Sequence, residues 1–352
     1  MKMKEIRVLI TGAGAPGIAG TIYSVQNNPD NRAVHIIGTD INEQVVGRYF
    51  CDEFQKIPRA TSPEYLDTML SLCEKRGIDV FIPQNTAELL ILSDNKKRFE
   101  EIGTKILVSS NKAITKANDK FNLMETAQRV GVPTTKYALC SDFASLKKNI
   151  EEIGEGDEVV VKPPMSNGSR GVRIVTKNRD RKSDFYNEKP NSLYITIDEL
   201  HETLGDDFPE LMVMEYLPGE EYTVDMFRND KTFVAIPRVR EVIRSGITFG
   251  ASLSNDERLT EYSRRLAEAC DLTLCFGFQF KLNKEGVPML LESNPRVQGT
   301  MVMSTFAGAN VIYASVKALL EEPIPEFNID WNTRLLRYWG AIGIHNSDYV
   351  RV

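Results

Sequence analysis

The chain has 352 residues, a length that corresponds to about two or three domains, each able to bury its own core. Its 42% hydrophobic and 26% charged residues are typical of globular proteins, and it has no apolar run near the ~20 residues of a membrane-spanning helix. The net charge of -6 argues against a nucleic-acid partner, since binding the phosphate backbone requires clustered Lys and Arg. We therefore expect small-molecule partners, with no nucleic acid and no membrane.

The amino-terminal residues lack the features of a signal peptide. The apolar run from Ile6 to Ile10 is short and is broken by Arg7, and no small-residue cleavage site follows it. The five cysteines form no C-x-x-C pair, so they indicate neither a disulfide framework nor a zinc site. A cytoplasmic location with free thiols is the expectation.

The first ~110 residues alternate short β-branched runs with helical patterns, which predicts a parallel βαβ sheet. The predicted strands are Arg7 to Thr11, Val34 to Asp40, Val80 to Pro83 and Lys105 to Ser109. Open parallel sheets bind ligands at the carboxyl ends of their strands. Asn85, Thr86 and Glu88, which follow the third strand, are therefore candidate substrate contacts.

A glycine-rich turn after the first strand allows two interpretations. The segment Gly12 to Gly17 reads G-x-G-x-x-G, and Asp40 ends the next strand, as in a dinucleotide site. Tyr313 and Lys317 have the spacing of the catalytic pair of short-chain dehydrogenases, so an NAD(P)-dependent oxidoreductase is one interpretation. The other, which we favour, is an open α/β domain whose first loop lines a substrate site.

The lysines Lys120 and Lys162 are candidate phosphate ligands. Lys120 opens a helix that runs to about Val130, although a lone lysine there is usually solvated. Lys162 ends an apolar strand and leads into the loop Ser166 to Gly171. Small residues beside a cationic strand end can lay backbone N–H groups over a triphosphate. A plain hairpin turn would explain the glycines but not the lysine.

The middle of the chain has closely spaced strands, typical of an α+β unit with an antiparallel sheet. These are Val159 to Lys162, Val172 to Thr176, Leu211 to Tyr216 and Tyr222 to Phe227. The charged segment Asp180 to Pro190 is predicted to be an exposed loop. The turn after Glu215, Tyr216 and Leu217 leaves backbone N–H and C=O groups that can pair with an adenine edge.

Three arginines alternate along the next predicted strand and turn, which ends at Gly246. They are Arg238, Arg240 and Arg244. Alternation on a strand places side chains on one face, where they could bind an acceptor carboxylate or an acyl phosphate. A solvated basic face is the alternative.

Oxygen-donating side chains lie on a predicted hairpin. After a helical pattern from Asn255 to Ala269, the strands Leu274 to Asn283 and Pro288 to Glu292 flank a turn. Glu292 and Asn294 are two positions apart and point to one face, and Gln279 lies on the other strand. Buried oxygen donors need partners, and Mg²⁺ takes such ligands when phosphates complete its shell.

The stretch from about Lys120 to Gly308 resembles the ATP-grasp superfamily, and within it the branch similar to the carbamoyl phosphate synthase large subunit. The motifs Gln279-Phe280 and Glu292-x-Asn294-Pro295-Arg296 are specific to that branch. The resemblance implies an α/β and α+β fold with a Rossmann-like pre-ATP-grasp domain at 1–112. A two-lobed ATP-grasp domain follows at 113–325, with a central ATP-binding lobe at about 134–215, and then a C-terminal tail at 326–352. The pre-ATP-grasp domain of the family has no nicotinamide cofactor.

In the family, Mg·ATP lies between the ATP-grasp lobes, and matching positions imply roles for residues of this chain. Phosphate ligands would be Lys120 and Lys162, under a loop containing Ser166, Gly168, Ser169 and Gly171. Glu215, Tyr216 and Leu217 would hold adenine, and Glu221 the ribose. One or two Mg²⁺ ions, for which Mn²⁺ can substitute, would bind Gln279, Glu292 and Asn294. Arg296, with Lys162, would be catalytic and face the γ-phosphoryl group. Many members have an acidic residue where this chain has Gln279.

The resemblance implies a ligase that forms C–N bonds by activating a carboxylate as an acyl phosphate for attack by an amine or ammonia. Carbamoyl phosphate synthesis uses two such units and a glutaminase partner, and one unit is visible here. We therefore expect a free-standing ligase with small-molecule carboxylate and amine substrates, and a homodimer is a candidate assembly. The alternatives are the NAD(P)-dependent oxidoreductase and a catalytically silent ATP-binding protein.

Overall fold

The structure is a computed structural model that describes residues 3–156, 158–166, 168, 170–187, 193–345 and 348–352. The chain divides into two compact units. The first comprises Met1–Asn118, Glu221–Phe280 and Glu292–Val352, and the second comprises Asp119–Glu220 and Lys281–Leu291. In the described residues, no helix combines the length and apolarity that crossing a bilayer requires.

The amino-terminal part of the first unit is a five-stranded parallel sheet with helices. Its elements are β1 (Ile6–Ile10), α1 (Ile18–Gln26), β2 (Val34–Asp40), a 3₁₀ turn (Val46–Tyr49), β3 (Glu53–Lys56), α2 (Tyr65–Arg76), β4 (Val80–Ile82), α3 (Thr86–Asp94), α4 (Lys96–Glu101), β5 (Lys105–Ile106) and α5 (Asn111–Asn118). The strand order is β3-β2-β1-β4-β5. The predicted parallel sheet is confirmed, and the apolar runs of β1 and β4 are buried on both faces, as parallel strands usually are.

The second unit contains a mostly antiparallel sheet in the order β6-β10-β7-β8-β9, in which only β8 and β9 are parallel among the described pairs. Its elements are α6 (Lys120–Arg129), β6 (Tyr137–Asp142), α7 (Phe143–Gly154), β7 (Val159–Lys162), β8 (Arg173–Val175), α8 (Arg181–Asn187), β9 (Tyr194–Ile195), α9 (Ile197–Leu204) and β10 (Asp207–Glu215). The predicted loop Asp180 to Pro190 is wrong in part, because α8 lies inside it. Residues 188–190 of that loop are outside the described residues.

The rest of the first unit is built on a sheet in the order β15-β14-β11-β12-β13-β16. Its elements are β11 (Glu221–Arg228), β12 (Phe233–Arg244), β13 (Ile247–Leu253), α10 (Glu257–Cys270), β14 (Leu274–Leu282), β15 (Pro288–Asn294), α11 (Val302–Phe306), α12 (Val311–Leu319), β16 (Arg334–Leu336), β17 (Ile342–His345) and β18 (Asp348–Arg351). The predicted hairpin is present as β14 and β15. The C-terminal tail contributes a strand to this sheet, because β16 pairs with β13.

Candidate active site

The predicted metal ligands of the first unit lie on the β14–β15 hairpin. Asn294 donates from Nδ2 to Oε1 of Glu292 over 3.4 Å, so the two side chains share one face of β15. Gln279 is half-buried on β14. Among the described residues, no cluster of three or more His, Cys, Asp or Glu side chains could hold a metal. A divalent ion at this hairpin would therefore need oxygens from its ligand in addition to one carboxylate and two amides.

Arg296 is fixed by three neutral acceptors. Its Nη2 donates to Oδ1 of Asn294 (3.2 Å), Nη1 to the carbonyl of Val297 (3.0 Å) and Nε to Oγ1 of Thr86 (3.1 Å). In the described part of the chain it forms no ion pair with a carboxylate. Burial lowers the pKa of Arg296, and the negative charges of Glu292 and Glu88 oppose that shift. The guanidinium is held in place with its positive charge uncompensated by direct contact.

Glu88, predicted as a substrate contact, is 1% exposed and has its partners inside the protein. Its carboxyl group accepts hydrogen bonds from Oγ1 of Thr11 (2.5 Å), OH of Tyr65 (2.6 Å) and the backbone N–H of Asn85 (2.8 Å). Burial raises the pKa of Glu88, and the donors counteract that shift. A side chain so enclosed cannot reach a ligand, which corrects its predicted role. Asn85 is exposed, and its own predicted role as a substrate contact stays a prediction.

Arg238, predicted to bind substrate, is 2% exposed and paired with a buried carboxylate. It donates from Nε to Oδ2 of Asp225 (2.8 Å) and from Nη2 to Oδ1 (3.3 Å), and Gln298 also donates to Oδ1 (3.3 Å). Its Nη1 has no hydrogen-bond partner among the described residues. A buried donor without a partner is costly, so this atom marks a place where a ligand oxygen would be stabilised.

Arg240 and Glu221, predicted for substrate and ribose respectively, are an ion pair with each other. Arg240 also donates to Oγ1 of Thr248 (2.8 Å) and to the carbonyl of Gly246 (2.6 Å). The strand alternation that groups Arg244 with them is interrupted by two register irregularities between Arg240 and Ile243. Arg244 instead lies over the ring of Phe249, at 4.9 Å from its centroid.

Arg337, in the tail, was missed by sequence reasoning. Its Nη1 donates to the carbonyl of Pro16 (2.6 Å) and its Nη2 to the carbonyl of Gly299 (2.8 Å). Burial lowers the pKa of Arg337, and the positive charge of Arg238 lowers it further. Within the described residues, Asp225 is bonded to Arg238, whereas the printed contacts of Arg337 are to backbone carbonyls. No motif surrounds Arg337 that could have indicated this.

The glycine-rich loop is filled by the protein's own atoms. Asp40 accepts a hydrogen bond from the backbone N–H of Gly14 (2.7 Å). A Cβ atom at Gly17 would lie 2.5 Å from Cα of Gly299, well inside van der Waals contact. The third glycine therefore accommodates a backbone segment of the same unit. A dinucleotide would need the carboxylate of Asp40, the backbone N–H of Gly14 and the space beside Gly17, and all three are already used within the protein.

The Tyr313 and Lys317 pair is buried and bound to a carboxylate. Both donate to Oδ2 of Asp30, from the Tyr313 hydroxyl over 3.2 Å and from Lys317 Nζ over 2.5 Å. Their spacing of four places both side chains on one face of α12. Their shared bonds to Asp30 favour a structural role over hydride-transfer catalysis.

In the second unit, both predicted phosphate-binding lysines are buried. Lys120 opens α6 and donates from Nζ to the carbonyl of Ser166 (2.8 Å), so it holds the start of the predicted phosphate loop. Lys162 ends β7. Gly168 and Gly171 have φ of 63° and 74°, a conformation that favours glycine. Ser169 lies outside the described residues.

The predicted adenine segment follows β10 in the same unit. Glu215 is opposite Val159 of β7 in the sheet, and Leu217 is buried. The segment is held by the tip of the hairpin: the ammonium of Lys281 lies 5.1 Å from the ring centroid of Tyr216, and the N–H of Gly219 donates to the carbonyl of Leu282. These contacts fix the backbone whose polar groups would face a base.

Two family models match the sequence. Residues 207–335 match the family described as ATP-grasp in the biosynthetic pathway with Ter operon, and residues 8–107 match the PylC-like N-terminal domain. Among curated proteins, the chain is 24% identical over 275 residues to the carbamoyl phosphate synthase large chain of Clostridium acetobutylicum, covering 74% of this chain and 24% of the relative. The corresponding protein of Agathobacter rectalis is 27% identical over 236 residues, covering 64% and 20%. The chain thus spans less than a quarter of the length of these relatives.

The fold is shared with solved structures of two other proteins. The N5-carboxyaminoimidazole synthetase of Staphylococcus aureus, complexed with ADP, has a TM-score of 0.66 at 16% identity, over 95% of this chain and 81% of that one. The biotin carboxylase domain of the 2-oxoglutarate carboxylase of Hydrogenobacter thermophilus, crystallised as a dimer with MgADP and bicarbonate, has a TM-score of 0.67 at 17% identity, over 93% and 73%.

Proposed function

The chain carries an ATP-grasp domain behind a PylC-like N-terminal domain, and on this premise we propose that it is an ATP-dependent ligase. The reaction activates a carboxylate as an acyl phosphate, which an amine or ammonia then attacks to form a C–N bond. The observation that supports this best is the continuous contact from Glu292 through Asn294 to Arg296, which sets oxygen donors beside a fixed cation. This arrangement suits a metal-bound polyphosphate.

The chemistry demands little covalent participation from the protein. A carboxylate is a poor electrophile, because direct attack by an amine would expel oxide, so a leaving group must be made first. Phosphoryl transfer is catalysed mainly by positioning and by neutralising charge. In our proposal Arg296 stabilises charge on the transferred phosphoryl group, and Lys120 and Lys162 bind phosphate oxygens. The backbone from Glu215 to Leu217 binds adenine.

Mg²⁺ fits the donors of the hairpin. All three candidate ligands, Gln279, Glu292 and Asn294, offer the hard oxygens that this ion prefers, and few protein ligands are usual when phosphates complete the shell. When bound, the ion would neutralise phosphate charge.

The ion pair between Glu221 and Arg240 changes the proposed contact of Glu221 with the ribose. Glu221 would reach a ribose hydroxyl with one oxygen while Arg240 holds the carboxylate.

The buried Arg238 and the partly exposed Arg337 support a carboxylate as the group that is activated. Arg238 is neutralised by Asp225, but Arg337 adds a charge that, among the described residues, is contacted by carbonyl oxygens alone. One excess positive charge and the unpartnered Nη1 of Arg238 suit a monoanion. We propose that the carboxylate substrate binds at these two guanidinium groups.

Arg337→Met is expected to raise the KM for the carboxylate about 10- to 100-fold, since a lost charge-assisted hydrogen bond costs roughly 1.5–3 kcal/mol. The KM for ATP should stay within about twofold of the wild-type value. Arg334→Met is the matched control, because Arg334 lies three residues before Arg337, on β16, but is exposed and paired with Glu241. An unchanged KM for the carboxylate in Arg337→Met would remove Arg337 from the substrate site.

The function itself is tested by ADP release from the purified protein with Mg·ATP. Amino acids, hydroxy acids and sugar acids would be supplied one at a time, each with and without ammonia or an amino-acid acceptor. We expect release that requires both a carboxylate and Mg²⁺. ATP binding without release under any condition would favour the silent ATP-binding alternative, and tight NADH binding without ATP turnover would favour the oxidoreductase. The cytoplasmic location and the homodimer stay predictions.

A further inference from the structure

The first turn of α3 contacts Arg296, although the two are far apart in the sequence. Nε of Arg296 donates to Oγ1 of Thr86 over 3.1 Å, and the two residues are 210 positions apart. Thr86 is the first residue of α3 and is only partly exposed. The other acceptors of Arg296 are Asn294 and Val297, which are its sequence neighbours. Thr86 is therefore the acceptor that fixes the guanidinium relative to a different part of the unit.

The residue before Thr86, Asn85, is bonded to the buried Glu88. The carboxyl group of Glu88 joins the start of α3, through the N–H of Asn85, to Thr11 at the end of β1 and to Tyr65 at the start of α2. Thr11 Oγ1 also accepts a hydrogen bond from the N–H of Gln84 (3.0 Å). Every one of these contacts to the carboxyl group is a donated hydrogen bond, which suits a carboxylate. These hydrogen bonds fix the start of α3, and with it the backbone position of Thr86.

The same network leaves the guanidinium of Arg296 without an ion pair in the described part of the chain. Glu88 and Glu292 both stabilise the charged form of Arg296, yet neither forms an ion pair with it among the described contacts. A direct ion pair would occupy the N–H groups that an anionic ligand needs. A neutral hydroxyl on Nε instead sets the plane of the guanidinium while the charge stays available.

We propose that Thr86, fixed by the Glu88 network, is a positioning residue that orients Arg296 toward the transferred phosphoryl group. This inference rests on the proposed ligase function. It assigns to the amino-terminal parallel sheet a role in phosphoryl transfer, in addition to any role in binding substrate. Orientation should affect the transition state more than ATP binding, because Arg296 is one of several groups that hold the nucleotide.

Thr86→Val tests the inference, since it keeps the shape of the side chain and removes the acceptor. We expect kcat to fall about 10- to 100-fold, as misplacing a catalytic group does, with the KM for ATP within about twofold of wild type. Thr86→Ser restores the hydroxyl and should restore kcat. Thr115→Val is the matched control, because Thr115 is an exposed helical threonine of the same unit whose hydroxyl donates to Oδ1 of Asn111. If Thr86→Val does not fold, Thr86→Ala replaces it.

A second measurement does not depend on activity. The Nε–H resonance of Arg296 in ¹⁵N-arginine-labelled protein, assigned by its loss in Arg296→Lys, should be visible in the wild type and in Thr86→Ser. It should broaden or shift in Thr86→Val as the hydrogen bond is lost. If the wild type releases no ADP, the ligase function fails, while this resonance still reports on the hydrogen bond. A Thr86→Val variant with unchanged kcat, or with an unchanged Arg296 resonance, would overturn the positioning role.

Discussion

Glu292→Gln is expected to lower kcat for ADP release at least about 100-fold, the loss seen when one group that stabilises transition-state charge is removed. Glu292 is the only carboxylate among the three proposed metal ligands. A metal site with two amide ligands depends strongly on its one anion, because Mg²⁺ gives up water reluctantly and needs charge to compensate. The substitution keeps the length and packing of the side chain on β15.

Ligand-induced stabilisation provides a second measure for Glu292. Mg·ATP should raise the Tm of the wild type, since a ligand that binds the native state stabilises it, and the Mg²⁺-dependent part of that shift should be lost in Glu292→Gln. Glu285→Gln is the control, because Glu285 lies exposed in the turn of the same hairpin. Wild-type turnover in Glu292→Gln would show that the metal, if used, is held elsewhere.

Arg296→Lys is expected to lower kcat about 100- to 1000-fold although the positive charge is kept. The planar guanidinium reaches three acceptors, on Thr86, Asn294 and Val297, with its three nitrogens. An ammonium group is a single flexible point and cannot satisfy this fork. The KM for ATP should change little, because the lysines and the adenine segment would still bind the nucleotide.

The control for Arg296 is Arg228→Lys. Arg228 is a partly exposed arginine of the same unit that contacts Asp271 and the carbonyl of Leu272, and it has no proposed role in catalysis. The thermal stability of both variants should be compared with that of the wild type, so that a fall in kcat is not confused with unfolding. If Arg296→Lys turned over ATP within about threefold of wild type, the oriented fork would not be needed for transfer.

Local patterns predicted the parts of the fold whose signal lies within a few residues. The apolar runs of β1, β2, β4 and β7 and the hairpin turn were found because strand periodicity and turn chemistry are properties of neighbouring residues. The prediction failed at α8, where charged and turn-forming residues resembled a loop. No prediction was made for β16, whose three residues are too short for a periodic signal.

Residues of the candidate site likewise divide into those predicted from neighbouring positions and those fixed by distant contacts. The spacing of two positions between Glu292 and Asn294 predicted that a strand places both side chains on one face. In the structure Asn294 bonds Glu292, and Arg296, two positions further on, bonds Asn294. The burial of Glu88 could not be predicted, because it depends on Thr11 and Tyr65, which are 77 and 23 positions away. The pairing of Arg240 with Glu221 likewise needed the register of β11 with β12.

The sequence by itself therefore determined the order of the elements, the oxygen donors and cation of the hairpin, and the resemblance to the ATP-grasp superfamily. Only the tertiary structure decided that Arg337 of the tail bonds the carbonyl of Pro16 and that Thr86 holds Arg296. The physical reason is that periodicity and spacing encode which face a side chain takes, whereas contacts between residues hundreds of positions apart are set by how whole elements pack.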